Sequence, residues 1–438
     1  MKRLQNISTA VLIMLLFYSA AHAYKLPDTG QTKCYGTVPP SAEIDCSLAA
    51  AEGQDGAYSI NPISYTDNGN GTVTDNNTGL MWQRCSMGQD SMTCSGPALT
   101  YTWYQAPAAT GCGALNTANF AGHNDWRVPS KKELISIVDY SVWGPPINVK
   151  YFPNTIVGFY WTSTELASDP NKSNAWYTSF NYGSVYNTSK SGLYPVRCVR
   201  GDTTARTFTG NGDTVTDNRT GLVWQKCSPG QNSTTCIGTA LRYNWDGALS
   251  YCNHLSLANQ TDWRIPSAKE FESLTDETIF NPSIDTINFP NTNYGYYWWS
   301  STTDASNQNY NYAWYAAFGG GAVVDGGNKD PLGNLNVRCV RGGQDGSPNL
   351  LVRLMNAGTP VNTYSTLLAA YNDAASDGYI IQAQATDLTE ALALVDNKTV
   401  TLRGGYDSDF LLNLSMTTLY GSLTIQGGTL TVENLMIE

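Results

Sequence analysis

The chain has 438 residues, of which only 14% are charged, and its formal net charge is −11. Globular proteins usually have about 25% charged residues, so this chain takes its polarity mainly from amides and hydroxyls, as strand-rich and loop-rich extracellular proteins do. An acidic chain repels nucleic acid phosphates, which excludes DNA or RNA as the expected partner. Three histidines in the whole sequence argue against histidine-based catalysis or a histidine-rich metal site.

The N-terminus predicts a secretory signal peptide over residues 1–23. Lys2 and Arg3 supply positive charge, residues 10–21 are almost wholly apolar, and Ala21-His22-Ala23 is a small-x-small cleavage pattern. The apolar run is shorter than the ~20 residues that a membrane span needs, and no later segment is apolar enough to cross a bilayer. We therefore expect a protein that does not span the membrane and is secreted or held at the cell surface, with the periplasm as an alternative.

A leader over residues 24–66 is followed by two copies of one long sequence pattern, at 67–201 and 209–342, with a linker at 202–208 between them. The motif Thr-Val-Thr-Asp-x-x-Thr-Gly-Leu-x-Trp-Gln occurs at 72–83 and 214–225, and Asp-Trp-Arg-x-Pro-Ser occurs at 125–130 and 262–267. Both copies close on Val-Arg-Cys-Val-Arg-Gly. This period is far longer than a solenoid repeat, so each copy should be a complete domain.

Eight of the ten cysteines follow the same repeat, while Cys34 and Cys46 precede it, and an even number in a secreted chain predicts a disulfide framework. Four cysteines in one repeat allow three connectivities, of which we favour the one that pairs the first two. No Cys-x-x-Cys motif or Cys/His cluster supports zinc ligation or a catalytic thiol instead. The predicted bridges are Cys34–Cys46, Cys85–Cys94, Cys112–Cys198, Cys227–Cys236 and Cys252–Cys339.

Each repeat has a pattern of mixed α+β structure. Two short strands flank an Asp/Asn/Thr/Gly turn, and a helix is expected over 243–255, with a shorter counterpart in repeat 1. A second helix begins at a capping box, Ser130 with Glu133 in repeat 1 and Ser267 with Glu270 in repeat 2. Lys131 and Lys132 are interpreted as an ordinary solvated helix start.

Other recurring side chains are expected to be structural. We expect Arg127 and Arg264 to anchor buried polar networks. The repeated tryptophans are expected in the core, namely Trp82, Trp126, Trp176, Trp224, Trp263 and Trp314.

These motifs resemble the Lcl C-terminal domain family, which is named after the C-terminal domain of the Legionella collagen-like adhesin. The resemblance covers both repeats. It implies a fold similar to that of C-type lectins, with a bridge from the first helix to the last strand, and extracellular ligand binding, which in the namesake is adhesion to sulfated polysaccharide. The chain lacks a collagen-like Gly-x-y region and the calcium motifs of sugar-binding C-type lectins, and its acidity weakens any transfer of polyanion binding.

The C-terminal part has a different pattern. After a linker at 343–363, residues 364–438 begin with a short amphipathic helix over 366–375. Runs of β-branched residues broken by Gly and Asn follow, and they look like coils of a short parallel β-helix with a capping helix. The complete fold expectation is thus two tandem C-type-lectin-like domains followed by a β-helix-like all-β tail. An open edge in this tail would permit self-association.

Tyr/Asn-rich loops late in each repeat are the candidate ligand contacts, because such residues combine rigid amphipathic rings with adaptable hydrogen bonding. A merely solvated loop explains them equally well. The Asp- and Gly-rich segment 67–75 keeps calcium as an alternative, although Asx and Gly turns explain it; otherwise no cofactor is expected. The candidates are Asn181, Tyr182, Tyr186, Tyr294, Tyr296, Asn309, Tyr310, Asn311 and Tyr312.

The expected function is binding of, or adhesion to, an extracellular glycan or protein ligand, without catalysis. Two alternatives stay open. The tail could form a polysaccharide-acting enzyme, in which Asp387, Asp396, Asp407, Asp409 and Arg403 supply the carboxylate chemistry, or both repeats could be structural spacers.

Overall fold

The structure is a computed structural model that describes residues 24–36, 41–46, 48–201, 205–305, 310–329, 334–342, 352–364, 366–385, 387–407, 410, 413 and 415–437. The predicted signal peptide at 1–23 lies outside these residues. Over the described ranges the chain is mostly β, with a few short helices and five disulfides.

The leader forms a small strand pair, followed by two 3-10 turns at Ala49–Ala51 and Asp55–Ala57. Its strands β1 and β2 pair antiparallel, and the Cys34–Cys46 bridge closes them. The two strands are Cys34–Tyr35 (β1) and Glu43–Ile44 (β2).

Repeat 1 contains two antiparallel sheets and two short helices. One sheet has the order β3-β4-β5-β9 and the other β6-β7-β8. The turn after β4 is fixed locally, because Asp75 accepts from the Asn77 amide and the Thr78 hydroxyl and Gly79 supplies a positive φ. The elements are β3 (Tyr65–Asp67), β4 (Thr72–Asp75), β5 (Met81–Gln83), α1 (Cys112–Thr117), α2 (Lys131–Ser136), β6 (Phe159–Glu165), β7 (Asn174–Ser179), β8 (Val185–Ser189) and β9 (Val199–Arg200).

Repeat 2 has the same plan, with a longer first helix. Its sheets have the orders β10-β11-β12-β18 and β13-β17-β14-β15-β16. Both predicted capping boxes are present, at the starts of α2 and α4. The elements are β10 (Phe208–Asn211), β11 (Thr214–Asp217), β12 (Val223–Gln225), β13 (Arg242–Tyr243), α3 (Trp245–Asn253), α4 (Ala268–Leu274), β14 (Trp298–Thr303), β15 (Tyr312–Ala317), β16 (Ala322–Asn328), β17 (Leu335–Asn336) and β18 (Val340–Arg341).

The five bridges join the same cysteine pairs that the sequence predicts. In each repeat the long bridge ties the first helix to the segment before the last strand, since Cys112 begins α1 and Cys198 immediately precedes β9. All six repeated tryptophans are buried, each at most 4% exposed, which confirms that they are core residues.

The two repeats share one continuous hydrophobic core across the α2 and α4 helices. The rings of Tyr140 in repeat 1 and Trp314 in repeat 2 form a T-shaped contact at a centroid distance of 4.6 Å. Lys269 donates to the carbonyl oxygen of Ser136, at 2.9 Å. The two repeats therefore pack against each other through a shared core and are not independent units.

This packing contradicts the prediction that Lys131 and Lys132 form a solvated helix start. The side chain of Lys131 is 0% exposed and forms an ion pair of 2.8 Å with Glu272 of repeat 2, which is 2% exposed. Lys132 donates to the carbonyl of Thr275 and lies 3.2 Å from the carboxylate of Glu277. The prediction was wrong because the sequence of one repeat does not show which of its faces the other repeat covers.

The tail contains two sheets and one helix. Strands β21, β23 and β25 stack in parallel, as do β22, β24 and β26, and α5 packs over the buried core between them. The elements are β19 (Val352–Asn356), β20 (Thr359–Tyr364), α5 (Leu367–Asp373), β21 (Tyr379–Gln384), β22 (Asp387–Leu394), β23 (Thr399–Tyr406), β24 (Thr417–Ile425), β25 (Thr429–Glu433) and β26 (Leu435–Ile437).

The predicted linker at 343–363 needs correction in its second half. Strands β19 and β20 occupy most of 352–364, and β19 pairs with β21 of the tail sheet. These residues belong to the tail because their alternating buried positions, Val352 and Leu354, complete its core. Parallel stacking is the geometry that a β-helix requires, while the β-helix itself stays a prediction.

Candidate functional site

The most exposed cluster of predicted ligand contacts lies in repeat 2, on the loop before β14. Tyr294 and Tyr296 are 50% and 46% exposed. The guanidinium of Arg242 lies 4.4 Å from the centroid of the Tyr296 ring, a cation–π contact that holds the ring in place. These side chains, with Ile237 and Asn293, line an open cavity of about 920 Å³ that we call the tyrosine groove.

Local hydrogen bonds fix the shape of the tyrosine groove. Asn293 accepts from the Gly295 amide through its side chain, at 3.1 Å, and from the indole N–H of Trp298 through its carbonyl oxygen, also at 3.1 Å. The side chain of Asn291 donates to the carbonyl of Cys236 at 3.2 Å, which links the loop to the short disulfide hairpin. The aromatic rings therefore project from a supported loop, as a preorganised binding surface requires.

Arg242 and Ile237 are neighbours of the tyrosines that the sequence alone does not reveal. They lie more than fifty positions earlier in the chain, and only the fold brings them together. In repeat 1 the corresponding loop presents the aliphatic side chains of Ile156 and Val157, both exposed. The aromatic groove is consequently a feature of repeat 2.

The other candidates of repeat 2 lie elsewhere, against the leader. The ring of Tyr310 stacks on that of Tyr35 with centroids 4.1 Å apart, and the Asn311 side chain accepts from the Ser41 amide at 2.8 Å. Tyr312 is half-buried at the start of β15. Asn309 lies outside the described residues.

The candidates of repeat 1 lie around the turn between β7 and β8. Tyr182 and Tyr186 are exposed, and Asn181 is half-buried in the turn. The Tyr186 ring lies 6.1 Å from that of Tyr177. The predicted residues thus form three separate surfaces rather than one site.

A second cavity, of about 660 Å³, lies between the repeats. Charged side chains of both signs line it, among them Arg127, which binds Glu133 in bidentate fashion. In repeat 2, Arg264 binds Glu270 in the same way, outside the lining of this cavity. These pairs fulfil the expected role of the two arginines. The lining includes Tyr24, Leu26, Arg127, Ser163, Lys132, Arg206, Asp217, Lys269, Glu272 and Glu277.

Burial shifts the proton affinities of several groups at this interface. It lowers the pKa of Lys132 to about 8, against the opposing attraction of Glu277. It also lowers the pKa of Lys269 to about 8, although several carboxylates including Asp139 and Asp28 oppose the shift. The pKa of Glu272 is raised by burial, and the ion pair with Lys131 offsets part of that rise.

The acidic segment at 67–75 uses its carboxylates in turns. Asp67 accepts from the Gly69 amide at 3.0 Å, and Asp75 is occupied by its own turn. Among the described residues, no group of three or more His, Cys, Asp or Glu side chains is placed to hold a metal ion. In the tail, Arg403 forms an ion pair of 2.5 Å with Glu433, while Asp409 lies outside the described residues.

The fold defines a protein of tandem, disulfide-stabilised domains with a further β tail. The sequence profile of the Lcl C-terminal domain matches residues 71–200 and 213–341, more than half of the chain. The chain therefore belongs to the Lcl C-terminal domain family and carries two copies of the domain. A search of curated proteins found none that matches it.

Family membership suggests a surface or adhesin-type role. Five disulfides fit an extracellular protein, because such bridges persist in oxidising compartments. None of the helices in the described part of the chain is long and apolar enough to cross a membrane.

Proposed function

We propose that the protein is a secreted or cell-surface binding protein that recognises a carbohydrate or protein ligand through the tyrosine groove of repeat 2, without catalysing a reaction. The observation that carries the proposal is the pair of half-exposed rings, Tyr294 and Tyr296, on a loop held by hydrogen bonds and by Arg242. Aromatic faces of this kind stack on sugar rings or pack on a protein, while the neighbouring amides bind hydroxyls.

The proposal includes a C-type-lectin-like fold for each repeat. Its support is the long bridge from the first helix to the segment before the last strand, and the combination of two helices with small, mostly antiparallel sheets. Loops of such a scaffold are suitable ligand contacts, because they vary while the framework stays rigid.

A glycan array followed by titration calorimetry on the best glycan tests the proposal. The double variant Tyr294→Ala/Tyr296→Ala is expected to bind at least about tenfold more weakly, which corresponds to the loss of two stacking contacts. Tyr104→Ala, which removes an exposed tyrosine of repeat 1, is the matched control and should bind normally. Equal affinity of the double variant and the control would exclude the groove as the binding site.

The salt dependence of binding distinguishes ligand classes. A neutral ligand should bind almost equally at about 50 mM and 500 mM salt, because screening acts only on charges. Strong weakening by salt would indicate a polyanion, which the acidic net charge of −11 disfavours.

A further inference from the structure

The leader covers one end of β14 in repeat 2. The Tyr58 and Ser301 hydroxyls share a hydrogen bond of 2.8 Å, and the Thr302 hydroxyl donates to the Asp55 carboxylate at 2.6 Å. The guanidinium of Arg264 lies 4.9 Å from the centroid of the Tyr58 ring. A four-residue stretch of the leader, Asp55 to Tyr58, therefore binds repeat 2 through one carboxylate and one tyrosine.

Hydrogen bonds identify the equivalent positions in repeat 1. In both repeats a serine amide of the long strand donates to the proline carbonyl of the Asp-Trp-Arg-x-Pro-Ser motif, which makes Ser163 the counterpart of Ser301. In both repeats the next residue, a threonine, accepts from the first amide of the capped helix, which makes Thr164 the counterpart of Thr302. The groups that bind the leader in repeat 2 are thus all present in repeat 1.

The stretch from Asp55 to Tyr58 does not cover this face of repeat 1, where, among the described leader residues, only Tyr24 and Leu26 line the cavity. Ser163 is exposed and Thr164 half-buried, whereas Ser301 and Thr302 are fully buried. The side chain of Arg127 is 30% exposed, against 11% for its counterpart Arg264. Arg127 and Ser163 line the 660 Å³ cavity between the repeats, so an open space exists at the position that Tyr58 fills in repeat 2.

We propose that this uncovered face of repeat 1 is a docking site for a peptide segment of a different polypeptide, one that presents an acidic residue followed three positions later by a tyrosine. The tyrosine ring would lie against Arg127 with its hydroxyl on Ser163, and the carboxylate would accept from the hydroxyl of Thr164. The chain's own leader shows that this combination of groups satisfies the same surface, because Asp55 and Tyr58 do so in repeat 2.

Charge favours the same ligand. The leader, residues 24–66, is acidic, with five acidic and two basic residues. It nevertheless binds repeat 2, which is also acidic, since residues 209–342 contain twelve acidic and eight basic residues. Repeat 1, residues 67–201, has nine basic and eight acidic residues and offers an acidic peptide less repulsion. The Asp55 to Tyr58 stretch of each chain is engaged on repeat 2, which leaves the matching groups of repeat 1 to another polypeptide.

The test is a fluorescence titration of the full chain with a labelled synthetic peptide of residues 53–60. The peptide is expected to bind with 1:1 stoichiometry, and a peptide carrying Tyr58→Ala should bind at least about tenfold more weakly. The variant Ser163→Tyr, which fills the cavity from an exposed position, should abolish peptide binding without lowering the thermal midpoint. The control Ser256→Tyr adds the same side chain at an exposed loop of repeat 2 and should leave binding unchanged.

Two results would overturn the proposal. One is equal binding of the peptide to the Ser163→Tyr and Ser256→Tyr variants, which would place the contact elsewhere. The other is concentration-dependent dimerisation of the free chain that Ser163→Tyr removes, because it would show that a second copy of this chain occupies the face. Loss of glycan binding in Tyr294→Ala/Tyr296→Ala bears on repeat 2 alone and leaves this proposal unaffected.

Discussion

The buried ion pair between the repeats provides a quantitative test of the packing. Lys131 and Glu272 are fully buried, and their charged atoms are 2.8 Å apart. The ammonium group also donates to the Gly321 carbonyl and lies 4.6 Å from the centroid of the Trp176 ring. Lys131→Met keeps most of the apolar stem but leaves the carboxylate of Glu272 buried without its nearest cation. Removing one partner of a buried pair is strongly destabilising, whereas removing both is often tolerated.

The carboxyl group can limit this loss by taking up a proton. The ordinary pKa of the Glu272 carboxyl is 4.5, so protonating it at pH 7 costs at most about 3.4 kcal/mol, at about 1.36 kcal/mol per pH unit. At about pH 5 the free energy needed to protonate this carboxyl is below about 1 kcal/mol. We therefore expect Lys131→Met to lower the free energy of unfolding by about 2–3 kcal/mol at pH 7 and by under about 1 kcal/mol at pH 5.

The direction of the pH dependence follows from proton linkage. In the variant the folded state keeps the proton on Glu272 to a higher pH than the unfolded state does, so stability falls as pH rises above about 4.5. Urea unfolding at both pH values measures the difference. Lys131→Met/Glu272→Gln should abolish the added pH dependence, and Lys150→Met, at an exposed lysine, should change stability by less than about 0.5 kcal/mol. A loss that is equal at both pH values would refute the reasoning.

Two further predictions concern the leader and the bridges. Burial, with a further contribution from Asp28, raises the pKa of Asp55 from 3.8 to about 7, so the stability of the folded chain should fall as pH rises through this window. Asp55→Asn should therefore raise the thermal midpoint relative to the parent at about pH 8 and not at about pH 4. An unchanged midpoint at pH 8 would contradict this. Removing the Cys112–Cys198 bridge, whose sequence separation is 86, should lower the free energy of unfolding by about 4–5 kcal/mol. Removing Cys85–Cys94, whose separation is 9, should lower it by about 2–3 kcal/mol. Equal losses in urea unfolding of the paired alanine variants would argue against loop closure as the cause.

Local chemistry explains which features the sequence predicts well. A capping box needs only a serine and a glutamate three residues apart, and Ser267 with Glu270 forms one in the structure. The repeat required one disulfide connectivity used twice but allowed three, and the favoured one, which pairs the first two cysteines of each repeat, is confirmed. The tryptophans were placed in the core for the same reason, since Trp82 and Trp224 recur within identical motifs and both are fully buried.

Contacts between distant segments explain what the sequence does not show. Tyr310 has the exposed, amide-rich surroundings of a ligand contact in the sequence, yet its ring stacks on Tyr35 of the leader, 275 positions earlier. Lys132 follows the pattern of a solvated helix start, but Glu277 of the other repeat lies 3.2 Å away. Neither contact leaves a local signal, because each depends on how three units of the chain pack together.

The leader makes two similar repeats chemically different. It binds repeat 2 through Asp55 and Tyr58, and in doing so it buries the serine and threonine hydroxyls at the end of β14. The exposed surface of repeat 2 is then the tyrosine groove, on the loop that precedes β14. Repeat 1 has aliphatic residues at the equivalent loop and an open polar face around Ser163. Duplication alone would give two equal sites for one ligand. The leader contacts both repeats, but its Asp55 to Tyr58 stretch covers only repeat 2. This leaves an aromatic surface on repeat 2 and a polar surface on repeat 1, which suit ligands of different chemistry.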